Sequence, residues 1–271
     1  VQRIVTVLST KGGTGKTTQT YNFAKWLGSQ GHQVLLIDHD HQMNLSTSFG
    51  IFNSPNTIAG VYDKEFKDPK ILNVSKNVDL IPGSMHLGSI GETLINRTMR
   101  EFILYNWLDK NYEAYDLGKY EYILLDSHPD VSIISKNAIM ISNHVLSFVE
   151  PSQFGGFDAM DSLKARMQEF KSEAVVPRTQ QSYVTADTLF VGNKVAYNTN
   201  ASHEFRKSVS EMKDVVAVIP QKELFNRSTI EHRMIFEYED GDQRNAKFFR
   251  DLRIEYGKIK QAIDKPEEEG N

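Results

Sequence analysis

Lys11-Gly12-Gly13-Thr14-Gly15-Lys16-Thr17-Thr18 follows the apolar run Ile4-Val5-Thr6-Val7-Leu8 and opens a helical pattern. Strand, glycine-rich turn and helix in that order make a cradle for nucleotide phosphates. The glycines let the backbone curl and aim successive N–H groups at phosphate oxygens, and the helix that follows presents its positive end. Lys16 is placed to reach the terminal phosphates and the Thr17 hydroxyl to bind Mg²⁺. An ordinary glycine-rich loop would not lead into Lys-Thr-Thr. A dinucleotide turn fits poorly, although Asp38 lies at a suitable distance along the chain for a ribose contact. Position 18 is Thr where the third glycine belongs, and Lys16 would crowd a pyrophosphate.

Outward from this turn, apolar runs rich in β-branched residues alternate with helical patterns. Strands are expected at 4–8, 33–38, 78–82, 122–126, 145–149, 189–195 and 215–219. Helices are expected at 16–29, 87–108, 132–142, 157–170, 202–213 and 244–262, with 109–119 and 171–188 as surface loops. Phe157, Met160, Leu163, Met167 and Phe170 share one helical face. Continuous apolar strands between amphipathic helices predict an α/β fold. Its sheet is mostly parallel and twisted, with helices on both faces, as in P-loop NTPases. Ligands in such sheets bind beyond the carboxyl ends of the strands. The expected division is one ATPase domain, 1–263, and a disordered acidic tail, 264–271.

With 39% hydrophobic residues in 271, the chain can bury a sizeable core. No apolar run approaches the ~20 residues of a membrane span, and no signal peptide precedes the first strand; the expected address is the cytoplasm, where ATP is. There is no cysteine, which excludes disulfides and any cysteine-ligated cluster such as that of the nitrogenase iron protein. A net charge of −4 does not announce a nucleic-acid binder. Its distribution does more: six basic residues against two acidic ones fall between Arg244 and Lys260.

The loop departs from the strict P-loop pattern, with Thr10 where the first glycine belongs and a second lysine, Lys11, at its start. In this it resembles the ParA/MinD group of ATPases, whose loop reads Lys-Gly-Gly-x-Gly-Lys-Thr-Thr or -Ser. The resemblance implies that ATP and Mg²⁺ are the cofactors and that Lys11 to Thr18 bind nucleotide. It also implies that Lys11 reaches across a homodimer to the partner's nucleotide. Asp126 ends an apolar strand as a Walker B carboxylate would, holding Mg²⁺ with Thr17, and Asp126-Ser127-His128-Pro129 matches a switch that senses the γ-phosphate. Asp38-His39-Asp40-His41-Gln42 resembles the group's Asp-x-Asp-Pro-Gln. By that match Asp40 orients or deprotonates the attacking water and Asp38 supports the Mg²⁺ shell, while His41 replaces a proline and loosens the turn. Catalysis thus falls to Lys11, Lys16, Asp40 and Asp126. Asn193 matches an adenine contact and Pro220 packs beside the base; a turn or strand-edge role for Asn193 is an equal alternative. His39 and His41, on one side of an extended run, could instead begin a metal site, without a completed ligand set in the sequence.

The resemblance further implies a short partition ATPase that dimerises on ATP and binds DNA nonspecifically. It would be nucleoid-associated and segregate a plasmid when a ParB-type centromere-binding partner stimulates hydrolysis. Because the chain begins at its first strand, no DNA-reading N-terminal extension is expected. DNA contacts are expected at Arg206, Lys222, Arg227, Arg233, Lys247 and Arg250, needing only cations on one face. Solvated helix faces are the plain alternative. Two other readings stay open. One is a MinD-like membrane-associated positioning ATPase, disfavoured by the acidic end of the chain. The other is an ATP-dependent small-molecule ligase of the dethiobiotin synthetase type.

Overall fold

The computed structural model describes residues 1–151, 156–196, 200–240 and 243–265. Its strands are β1 (Arg3–Val7), β2 (Val34–His39), β3 (Leu72–Ser75), β4 (Val78–Ile81), β5 (Tyr122–Ser127), β6 (His144–Val149), β7 (Asp187–Val195) and β8 (Val215–Pro220). They form one sheet in the order β3-β4-β2-β5-β1-β6-β7-β8. All pairs are parallel except β3 with β4. β2, β5 and β6 are buried at every residue, which is why they read as unbroken apolar runs.

The helices are α1 (Lys16–Ser29), α2 (Asn44–Ser48), α3 (Ala59–Tyr62), α4 (Leu87–Leu94), α5 (Ile103–Asn111), α6 (Ile133–Met140), α7 (Gly156–Glu173), α8 (Asn200–Val209), α9 (Leu224–Ile230) and α10 (Ala246–Asp264). Strand pleating divides them between two faces. Val34 and Leu36 of β2 join a core with Tyr21 and Leu27 of α1 and Phe249 and Leu252 of α10. Leu35 and Ile37 face the other way, onto Leu87, Leu104 and Ile134 of α4, α5 and α6. Each such side chain, taken fully out of water, contributes about 1.5–3 kcal/mol. On α7, Met160, Leu163, Met167 and Phe170 are buried as the period predicts, while Phe157 stays 38% exposed.

Three expectations change. The single helix 87–108 is two, because Ile95–Met99 leaves the helix and Met99 takes a left-handed backbone. A tertiary contact holds the break open: the buried Asn137 amide accepts from Leu104 N at 3.0 Å and donates to the Arg100 carbonyl at 2.7 Å. That break swings Ile103, Leu104 and Leu108 back into the core that Leu87, Ile90 and Leu94 already occupy. Second, β3, α2, α3 and α9 had no sequence signal strong enough to place them; they are short and lean on neighbours. Third, Asp264, assigned to the tail, is the last residue of α10. Its carboxylate accepts from Tyr122 at 2.7 Å and from Lys260 at 2.6 Å. The expected acidic tail from 266 onward lies outside the described residues.

Candidate functional site

The register of the central strands sets the site. Asp126 pairs with Val7 on one side and Asp38 on the other, so both carboxylates stand level with the start of the glycine-rich turn. Gly13 and Gly15 have φ of 80° and 85°, left-handed values that the turn requires. A Cβ on Gly15 would also come within 2.5 Å of Asn193 Nδ2. Lys11, Gly12 and Gly13 are exposed, and Thr14 and Lys16 are buried. Thr14 donates to Ser9 Oγ at 3.2 Å, and Ser9 donates to the Phe148 carbonyl at 3.2 Å, which pins the turn to β6.

Thr17 donates to Asp126 Oδ2 at 2.6 Å, while Asp126 Oδ1 is buried with no hydrogen-bond partner. Burial raises the Asp126 pKa to about 6 against the pull of Lys16 and Thr17. A buried, half-satisfied carboxylate beside a threonine hydroxyl is a set of hard oxygen donors suited to Mg²⁺. Asp38 is engaged differently. Its Oδ2 accepts from Ser46 N at 2.8 Å and Ser46 Oγ at 2.6 Å, and its Oδ1 accepts from Asp40 N at 3.4 Å. Burial first, and then the charge of Asp126, raise its pKa to about 7. The structure thus ties Asp38 to α2 while register sets it beside Asp126. Ser46 was missed because α2 itself was not legible.

Asp40 is nearly buried just past β2, where Oδ1 accepts from Gln42 N at 2.9 Å. His39 is fully inside and shares a 2.6 Å hydrogen bond with the Tyr62 hydroxyl. Burial lowers its pKa to about 3. His41 leaves it for His128, ring centroids 4.4 Å apart.

Asn193 is buried against the turn, donating to the Thr14 carbonyl at 2.7 Å. Gln19 donates to its Oδ1 at 3.2 Å, and Tyr256 of α10 donates to Gln19 Oε1 at 2.8 Å. Lys194 was missed although it adjoins Asn193; it reaches the Gly13 carbonyl at 2.5 Å and Glu150 at 2.6 Å. Next to this network lies a hollow of about 190 Å³ lined by Gly15, Thr18, Gln19, Asn193, Gln221 and Asn226 among others. Pro220 lines a separate hollow with Arg206, while Gln221 lines the one beside Asn193.

The candidate DNA contacts divide. Arg227 and Arg233 are exposed and stack over the same ring, Tyr238, at 5.1 and 4.6 Å. Lys222 lies 5.5 Å from the Phe248 ring. Lys247 and Arg250 are exposed on α10, while Phe248, Phe249, Leu252 and Ile259 turn inward as the pattern predicts. Arg227 pairs with Glu231 at 3.1 Å and Arg250 with Asp251 at 3.6 Å. No helix of the described residues is long and apolar enough to cross a membrane.

Residues 2–177 match the AAA domain family. The chain is 24% identical over 261 residues to an uncharacterised protein of Methanocaldococcus jannaschii, covering 90% of this chain and 95% of that one. To the probable plasmid-partitioning protein ParA of Thermus thermophilus it is 27% identical, over 80% of this chain and 66% of that one. To the sporulation initiation inhibitor protein Soj of Bacillus subtilis it is 30% identical, over 53% and 56%. The chain thus spans little more than half of Soj. Among solved structures, apo McdA of Cyanothece superposes with a TM-score of 0.78 at 20% identity, over 97% of this chain and all of that one. MinD of Pyrococcus horikoshii with Mg-ADP gives 0.68 at 22%, over 98% and 97%. The shared mononucleotide fold, the family match across the turn and both aspartate loops, and these relatives agree: the chain belongs to the AAA domain family and is a ParA-type P-loop ATPase.

Proposed function

We propose that this protein is a Mg-ATP-dependent partition ATPase that pairs on ATP, holds DNA nonspecifically and releases it when a centromere-binding protein stimulates hydrolysis. The observation that carries this is the Thr17–Asp126 hydrogen bond at the mouth of the glycine turn, with Asp126 Oδ1 left over. Thr17 and Asp126 would hold Mg²⁺, which neutralises charge on the phosphates. Lys16 and the turn's N–H groups bind the β- and γ-phosphates, and Asp40 positions the attacking water. Phosphoryl transfer asks a protein chiefly for such positioning and charge neutralisation. Lys11, exposed at the outer lip of the turn, would complete the site of a second copy, so hydrolysis awaits a two-ATP dimer. The hollow beside Asn193 takes the base.

For DNA, the reading rests on Arg227 and Arg233 sharing Tyr238 and on Lys222 over Phe248 of α10. Phosphate contacts need no sequence code, so cations on one face suffice. Within a cell such a protein would lie on the nucleoid. The test is ATP turnover with and without DNA and a ParB-type partner, paired with gel shift and liposome pelleting in ATP. Turnover raised by DNA plus partner supports the reading. Liposome binding without gel shift would point to a MinD-like anchor, and stimulation by a carboxylate metabolite alone to a ligase.

A further inference from the structure

We infer that Asp40, His41 and His128 form a binding site for a transition-metal dication of the zinc class, separate from the Mg²⁺ position beside Thr17. Asp40 and His41 follow β2 and His128 follows β5, and these strands are neighbours. One ligand atom from each residue lies within 4.8 Å of the other two. Tetrahedral coordination with bonds of about 2.0–2.1 Å sets donors roughly 3.4 Å apart. Closing that difference takes only side-chain rotation, since His41 and His128 are about a third exposed. Two imidazoles and one carboxylate select zinc, nickel, cobalt or iron over Mg²⁺, which prefers oxygen alone.

Most exposed histidines in loops are bland, and two features set this pair apart. The first is an outer shell. Asp130 Oδ2 lies 3.5 Å from His128 Nδ1, which leaves Nε2 to face an ion. Asp130 is itself fixed, its Oδ1 accepting from Ser132 N at 3.2 Å and Ser135 Oγ at 3.4 Å. The second is room: a hollow of about 370 Å³ in front of His41, His128 and Asp130 admits water as a remaining ligand. On the reading that Asp40 positions water, an ion here would occupy that carboxylate, clasp the two loops together and suppress turnover. That consequence rests on the proposed function; the site does not.

The test uses the untagged full chain without nucleotide. Co²⁺ is titrated by its visible absorption and displaced by Zn²⁺, with circular dichroism verifying each variant's fold. One ion per chain is expected, with affinity falling about a hundredfold or more in His41→Gln and in His128→Gln, and about tenfold to a hundredfold in Asp130→Asn. Either histidine variant decides the matter alone, so misfolding of one leaves the other. No binding, or binding unchanged by the folded histidine variant, overturns the site. Stimulated ATP turnover in excess Mg²⁺ is then measured with stoichiometric Zn²⁺. Suppression in the wild type that His41→Gln relieves supports the regulatory consequence. Bound metal with undiminished turnover keeps the site and removes Asp40 from the water.

Discussion

The Thr17 hydroxyl donates to Asp126 Oδ2 at 2.6 Å, joining residues 109 positions apart in the chain. One is the first turn of α1 and the other the end of β5, so sheet register alone makes the contact possible. Thr17 and Asp126 thereby form one corner of the proposed phosphate site.

Lys16 is buried within that corner, and its charge offsets the burial of Asp126. Lys16→Ala should weaken ATP binding at least about tenfold to a hundredfold, the worth of a hydrogen bond to a charged group. Isothermal calorimetry with a non-hydrolysable analogue checks it; wild-type affinity would remove the lysine from the phosphates.

Asp40→Ala should leave ATP binding within a few-fold of wild type and lower stimulated turnover by roughly 10²–10⁴, the range for a lost general base. Single-turnover hydrolysis separates this from a binding defect. Unchanged turnover would end the water-positioning role.

Lys11 stands at the exposed lip of the turn. Lys11→Ala should keep nucleotide binding by the monomer and lose ATP-dependent pairing. Sedimentation with ADP and with a non-hydrolysable ATP analogue reads the difference, and a dimer that survives the substitution contradicts the cross-subunit role.

His39 supplies a pH dependence. Buried, it titrates at about 3 in the folded protein against 6.5 in the open chain. As pH falls below 6.5 the unfolded chain takes up a proton that the native state refuses. The stability this histidine contributes is complete above 6.5 and drains as pH falls toward 3. His39→Gln should flatten that acid slope. Thermal midpoints across the window, compared between the two proteins, give the answer; parallel slopes would refute it.

Gly28 of α1 lies against the turn before β4. A Cβ there would sit 2.6 Å from the Lys76 carbonyl and 2.7 Å from Val78 Cγ2. Gly28→Ala should destabilise by about 1–3 kcal/mol from overpacking, outweighing a helix-propensity gain of about 1 kcal/mol. Urea unfolding measures the sign.

The site was legible in parts. The spacing of Gly13, Gly15, Lys16 and Thr17 predicted a tight turn into α1 because that geometry is local, carried by consecutive residues and one helix end. Asp126 was legible through the strand it ends together with the Asp126-Ser127-His128-Pro129 match. Asn193 was located, but the structure turns its amide onto the Thr14 carbonyl, and Lys194 beside it went unread.

The chain's own order of apolar runs and helical patterns determined a parallel sheet, the full extent of α1 and the position of the glycine turn. The signal for each, a periodicity or a turn, lies within a few residues. Tertiary structure alone decided that Asp38 binds Ser46, that Asn137 breaks the helix before Leu104, and that His41 meets His128. Those contacts join residues brought close by strand register and packing, and nothing in local spacing records which distant partner a buried polar group will find.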